Sequence, residues 1–496
     1  MTRWLFGDQL GPWFLPGDDE PVIVIESLAA IRRQRWHRQK LHLLLSAMRH
    51  RTAELGDRAI SVRAGGYRAG LAETGIAARD ISVCEPTSHT ARAFVRTLGL
   101  ATIEPHPGFA TSREGFAEWV DGRGERRLLL EDFYRWQRRR LGVLLEPDGE
   151  PAGGRWNFDA GNREPPPRGA ETLGVAPPHL PTEDDIDAEV REDIDRWTSE
   201  GTIGTVGEDG PRWWAATRAE GLAALETFVR DRLPAFGPHE DAMLGADTVM
   251  AHSLLSAPMN LGLLHPLEVV REAELAYRSG AAPIASAEGF VRQVLGWREY
   301  VWGLYRTFGE GYRSRNALDA REALPVWLDS LDADGEVRAE CLRATLRDVR
   351  ERGWTHHIPR LMVLGNYALQ RGIDPAALSS WFQRSFVDGY DWVMLPNVIG
   401  MSQWADGGEM ATKPYVSGGA YIDRMSDHCG RCPYDPAVRV GDLACPFTAG
   451  YWAFLDRHAD RFRGNHRMAR ALAGLARRCD LDAIRAQEAE RGTTAP

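Results

Sequence analysis

Long hydrophobic runs are missing from this sequence. No stretch approaches the ~20 apolar residues needed to cross a bilayer. The opening residues, Met1-Thr2-Arg3-Trp4-Leu5-Phe6-Gly7-Asp8-Gln9, turn polar too early for a secretory leader. No membrane association is expected, and the cytoplasm follows as the compartment. Cysteine is scarce, with 6 in 496 residues. In a reducing compartment these are read as ligands or core residues before disulfides. Net positive charge is lacking as well: 60 Lys and Arg against 70 Asp and Glu leave −10. That excludes a protein that coats nucleic acid, although a local basic face around one pocket needs only a few Arg or Lys. There is no P-loop, GxSxG, HExxH or GxGxxG fingerprint, which sets aside the common nucleotide hydrolases, serine hydrolases and zincins.

What is present is an ordinary globular composition, 43% hydrophobic and 26% charged, with an unusual 17 Trp. The length exceeds what one hydrophobic core sustains, so two domains are expected. In the first third, short apolar runs at 3–6, 21–25, 60–63, 80–85 and 101–104 alternate with helical segments such as 40–50. This pattern predicts a small Rossmann-like α/β domain over residues 1–130 with a parallel sheet. Residues 131–212 are read as an inter-domain linker, because 147–183 are rich in Pro and Gly. From 213 to 496 apolar residues recur at three- and four-residue steps, which predicts a large all-α domain. The basic clusters Arg32, Arg33, Arg35, Arg38, Lys40 and Arg135, Arg138, Arg139, Arg140 are read as solvated helix faces.

The cysteines carry the sharpest local signal. Cys429 and Cys432 form a CxxC pair, Cys445 follows, and Cys341 precedes at a distance. Pro433, Asp435, Pro436, Gly441 and Asp442 suit a ligand loop. Four thiolates can hold zinc or an iron–sulfur cluster, and spacing does not choose between them. His356 and His357 diverge by about 100° on a helix, so one can face a pocket and the other its rim. The run His252-Ser253-Leu254-Leu255-Ser256 offers hydroxyls and amides to a diphosphate. Gln293, Trp297 and Arg298 add an amide, an indole and a guanidinium, and Arg360 and Asp388 are candidate ion-pair partners.

Taken together, Gly7-Asp8-Gln9-Leu10, Gly154-Arg155-Trp156-Asn157-Phe158-Asp159, Asp241-Ala242-Met243-Leu244, 252–256, 296–300, His356-His357-Ile358, 396–403, Thr412-Lys413-Pro414-Tyr415, 424–427 and the four cysteines make the chain resemble one family. It resembles the deoxyribodipyrimidine photolyase-related family, the iron–sulfur bacterial cryptochromes and (6-4) photolyases. The resemblance runs nearly end to end and implies the cryptochrome/photolyase fold. It implies FAD held by Ser253, Leu254, Ser256, Gln293, Trp297, Arg298, Arg360 and Asp388. It implies a [4Fe–4S] cluster on Cys341, Cys429, Cys432 and Cys445. His356 and His357 would serve a flipped-out photoproduct in UV-damaged DNA, and Trp381 and Tyr390 would relay electrons. The implied activity is light-driven DNA repair of the (6-4) photolyase type by a monomer. A cryptochrome-like photoreceptor and a diverged FAD/[4Fe–4S] redox protein stand beside it as alternatives. Three departures are visible: Met394 where the family has a glutamate, Trp327 in place of a longer aromatic run, and Ala29-Ala30-Ile31 in place of an acidic stretch of the lumazine antenna pocket.

Overall fold

The computed structural model describes residues 1–496 other than 16 and 18. The first lobe is built on five parallel strands in the order β4-β2-β1-β5-β6. These are β1 (Thr2–Leu5), β2 (Val22–Ser27), β4 (Ala59–Ala64), β5 (Ile81–Cys84) and β6 (Thr102–Glu104). Central β1 aligns Trp4 with Ile23 on one side and with Val83 on the other. Alternation along the strands sends Trp4, Ile23, Ile25 and Val83 to one core and Leu5, Val22, Val24 and Cys84 to the other. Both faces are covered, as parallel sheets require. The second core receives Leu43, Ala47 and Met48 from the helix Arg38–Leu55.

Residues 131–212 do more than connect. Helix Leu130–Leu141 packs against the helical lobe at 292–298, and helix Asp185–Ser199 docks back on Arg38–Leu55. The latter starts at a reciprocal capping box between Asp184 and Asp187, while Ile186, Val190, Ile194 and Trp197 recur on one face. A two-stranded sheet of β3 (Trp36–His37) and β7 (Thr205–Val206) fastens the far end. Arg212, almost wholly buried, bonds Asp187 and Glu220 bidentately and joins this connection to the helical lobe. Removing one partner from such a pair costs about 3–5 kcal/mol, because a charge is left unpaired away from water.

The helical lobe fills the remainder. Helix Ile284–Val291 passes through 292–298 into Glu299–Phe308, which lies beneath the aromatic cluster of Phe109, Trp119, Phe133, Tyr300, Trp302 and Trp392. Helix Glu340–Arg352 carries Cys341 and ends at Gly353, whose φ of 61° gives the left-handed cap that few other residues adopt. His356 and His357 follow directly. No helix among the described residues is long and apolar enough to cross a membrane.

Candidate functional site

Three helices widen to five-residue hydrogen-bonded turns at 292–298, 359–365 and 396–402. Such turns swing side chains off the regular face and concentrate at functional sites. Pro359 and Pro396, which lack an N–H, stand at the head of two of them. The first carries Gln293, Trp297 and Arg298, the second carries Arg360, and the third follows Met394.

Arg360 Nη1 and Nη2 donate to Asp388 Oδ1 and Oδ2 at 2.9 and 3.1 Å, and its Nε donates to the Thr355 carbonyl at 2.7 Å. Its guanidinium lies 4.3 Å from the Phe386 ring centroid. Ser256 Oγ donates to Asp388 Oδ2 at 2.8 Å, and Asn260 Nδ2 donates to the Asp388 carbonyl at 3.2 Å. The other lobe reaches the same loop. Lys40 Nζ donates to the carbonyls of Gln383 and Gly389, 4.9 Å from the Trp36 centroid and 5.4 Å from that of Tyr390. The sequence grouped Lys40 with a solvated cluster; it is in fact buried, and burial lowers its pKa to about 7 against the pull of Asp388. Arg138, from the second cluster, is likewise buried and donates to the carbonyls of Val143, Leu144 and Trp156. Helical periodicity cannot see partners that lie outside the helix itself, whether across the lobes for Lys40 or in the following loop for Arg138.

The histidines form a group of three. His252 stacks on His356, with centroids 4.5 Å apart and planes 21° apart, and His357 stands edge-on to both. Nitrogen atoms of the trio lie within 4.8 Å of one another. Near-parallel rings, however, aim their lone pairs side by side and not at one point, so the group is a stack and not a preformed chelate. His356 is buried and His357 exposed, with its Nε2 3.3 Å from Asp241 Oδ1. Burial first, and the neighbouring cationic groups second, push His252 and His356 well below the usual imidazole range. Both rings are therefore neutral at neutral pH. His252 Nε2, His356 Nδ1 and Thr355 Oγ1 are buried with no hydrogen-bond partner. Glu240, pushed up to about 7 by burial, accepts from Gln293 Nε2 at 2.5 Å and senses His357.

The remaining sequence candidates divide. Ser253 and Leu254 sit on the loop beside His252, where Ser253 Oγ accepts from the Leu255 amide at 3.3 Å. Trp297 and Arg298 face the aromatic cluster: Arg298 bonds Glu299 Oε1 at 3.0 Å and lies 4.3 Å from the Phe109 centroid. Trp381 is fully buried, donates to the Leu328 carbonyl at 2.9 Å and packs edge-on to Phe382 and Phe386. Tyr390 is enclosed between the lobes, its phenol pushed up by burial and by Asp8 and Asp388. Met394 is buried in the core that holds Met362, Trp381 and Phe386. Sequence reasoning missed Lys40, Glu240 and the His252 ring. His252 was read only for the hydroxyls and amides that follow it.

A second centre lies behind the histidines. Cys341, Cys429, Cys432 and Cys445 line one hollow of about 300 Å³ of atom-free space, part of it open to solvent. Its walls are otherwise mostly apolar, including Ala339, Ile422, Pro446 and Phe447, with His428 at the side toward His356. None of the four is in a disulfide. Burial raises the Cys341 thiol well above its ordinary range, and the three neighbouring sulfurs add to the shift. Four sulfurs that repel one another as anions fit a cationic centre.

A (6-4) photolyase from Agrobacterium fabrum is 39% identical over 495 residues, covering 95% of both chains. The chain belongs to the deoxyribodipyrimidine photolyase-related family. The family model of that description matches residues 3–210. Among solved structures, a bacterial class III photolyase from Agrobacterium tumefaciens superposes with a TM-score of 0.58 at 17% identity, over 92% of this chain and 97% of that one. A Synechocystis cryptochrome gives 0.55 at 14%, over 86% and 88%. At those identities the two structures establish the fold. As a member of the family, the chain presents the polar cleft and the sulfur-lined hollow in one helical lobe, linked by the strand-like contacts Met243 N to Met425 O and Gly245 N to Asp427 Oδ1.

Proposed function

We propose that this protein repairs pyrimidine photoproducts in UV-damaged DNA under blue light, with (6-4) lesions as substrate. The observation that carries this reading is the stack of His252 and His356 beside the Arg360–Asp388–Ser256 network, in a chain aligned along nearly all its length with a (6-4) photolyase. The partnerless Nδ1 of His356 and the Thr355 hydroxyl fit a polar ligand seated beside them, since buried polar atoms ordinarily have partners. FAD fits there, and in its reduced form it would supply the photoexcited electron for the lesion. Ser253, Leu254 and Ser256 would hold its phosphates, Gln293 its edge, and Arg360 with Asp388 its ring system, while Trp297 and Arg298 would hold the wall from behind. Trp381, fully buried in the neighbouring core, and Tyr390, partly buried against the aromatic cluster, would be the relay positions.

His356, neutral and buried, would hydrogen-bond the lesion, and exposed His357 with Asp241 would stand at the rim. Arg163 and Arg424 lie near Asp241 and Tyr421 and give a modest basic border for phosphates. A flipped-out lesion then needs only that border, which reconciles DNA binding with a net charge of −10. Residues 1–130 would form the antenna-type lobe, 131–212 the connection and 213–496 the FAD-binding catalytic lobe. At residues 29–31 the first lobe offers two alanines and an isoleucine, so a lumazine antenna would have to find its polar partners elsewhere.

For the hollow we propose a [4Fe–4S] cluster on Cys341, Cys429, Cys432 and Cys445. Four thiols lining one mostly apolar hollow supply the donor set that such a cluster takes. Iron and acid-labile sulfide assays after anaerobic purification test this, and stoichiometric zinc in their place refutes it. For the activity, the test is conversion of a (6-4) oligonucleotide by the reduced, FAD-loaded protein in blue light. No conversion with cofactor bound and reduced rejects the repair reading.

A further inference from the structure

His252 is the one member of the histidine group that sequence reasoning left without a task, and several independent features converge on it. It opens the loop that carries Ser253 and Ser256. The two residues that bracket this turn, Met250 and Leu254, have φ of 52° and 57°. Non-glycine residues adopt the left-handed region at a cost and keep it only where the surroundings fix the conformation. Here the fixing groups are visible. Arg232, whose side chain is buried, donates to the carbonyls of Met250 (2.6 Å) and His252 (3.2 Å). The Phe236 ring meets the His252 ring edge-on, with centroids 5.7 Å apart and planes at 86°. The His252 ring in turn stacks on that of His356.

This amounts to a ring clamped on its backbone and one edge, with a free face used to hold another ring. His356 itself has little else: its Nδ1 makes no hydrogen bond, so nothing but packing sets the plane in which that nitrogen points. We infer that His252 is a positioning residue for His356, and that through its loop the seating of the FAD phosphates and the orientation of the lesion-facing imidazole are coupled. The contact is made by the face of the ring, so a flat hydrocarbon ring should serve nearly as well as an imidazole.

The inference rests on the repair reading, and two variants with two readouts keep the two separable. His252→Ala and His252→Phe are compared as FAD-loaded, reduced proteins with a (6-4) oligonucleotide in blue light. His252→Ala should lower the yield at saturating DNA by about tenfold, the scale of an aromatic pair contact, with half-saturation by DNA little changed. His252→Phe should recover most of that yield. Equal losses in the two variants, or no loss in His252→Ala, overturn the inference. The second readout does not involve repair. In histidine-labelled protein, the ring-current shift of the His356 resonances should collapse in His252→Ala and persist in His252→Phe. Should the unsubstituted protein repair nothing, that shift still decides: a shift unaffected by His252→Ala overturns the positioning role, and its selective loss upholds it.

Discussion

The two centres of the helical lobe differ in what holds them. In the first, Arg360, Ser256 and Asn260 already bond Asp388, and Lys40 braces the same loop through the Gln383 and Gly389 carbonyls, so the polar frame stands on its own and leaves the His356 Nδ1 and the Thr355 hydroxyl for what enters. In the sulfur-lined hollow, Cys341 and Cys445 are held only by groups a few residues along their own segments, the Leu342 amide for one and Phe447 and Thr448 for the other. Its walls are mostly apolar, and its thiols can be satisfied as ligands only by something placed among them. The first centre carries its own frame, whereas the proposed cluster would have to complete the second. Between them, residues 243–245 bond residues 425–427.

That difference sets the order of expected effects. Cys432→Ser should remove the metal and melt the surrounding loop. A structural metal centre contributes on the order of 10 kcal/mol, so loss of one ligand should lower Tm by roughly 10 °C or more. Thermal melts with parallel iron assays check this, and a full-length variant that keeps both iron and Tm breaks the comparison. Arg360→Leu strands the mostly buried Asp388 carboxylate and should cost about 3–5 kcal/mol, with FAD retention falling alongside, as read by denaturant titration and the flavin absorbance of the purified protein. His356→Asn should leave stability within about 1 kcal/mol of the parent yet lower light-driven conversion by about a hundredfold, the lower end of what loss of one positioned hydrogen-bond donor costs. That variant separates a residue of the cleft's working face from one of its frame.

The smallest effect concerns Lys40. Its folded-state pKa, about 7, lies below its unfolded value of 10.5. Between those values the unfolded chain binds the extra proton, so stability from this group rises as pH increases from about 7 toward 10 and is absent below 7. The stability difference between the parent and Lys40→Met should therefore grow in the parent's favour across that window. A difference that is flat with pH contradicts the assignment.

Legibility in the sequence followed the range of the interaction. The strands of the five-stranded sheet were read within two residues of their ends, because a short apolar run buried on both faces is a local signal. Helices Pro266–Arg278 and Pro375–Ser385 were marked by proline at the start and apolar spacing along their length. Helix Asp185–Ser199 went unread although its capping box and Ile186, Val190, Ile194 and Trp197 were in plain view; the Pro-rich stretch before it dominated the reading. In the candidate site, the CxxC pair was local and legible, whereas Cys341 needed the family resemblance, since 88 residues separate it from Cys429. The Arg360–Asp388 pair was guessable from charge alone. The Lys40 contact and the His252 stack depend on segments more than 100 residues away, and nothing in their own neighbourhoods announces them.

Lys40 also bears on how such proteins can be rebuilt. A helix of the α/β lobe puts an ammonium under two carbonyls of the loop that carries Asp388. The lobe is thus not an interchangeable cartridge. A chimera that borrows the first lobe from a relative must bring a hydrogen-bond donor to that spot or accept a displaced loop. The seam between the parts runs through the working site, and recombination points chosen at the surface linker will cut across it.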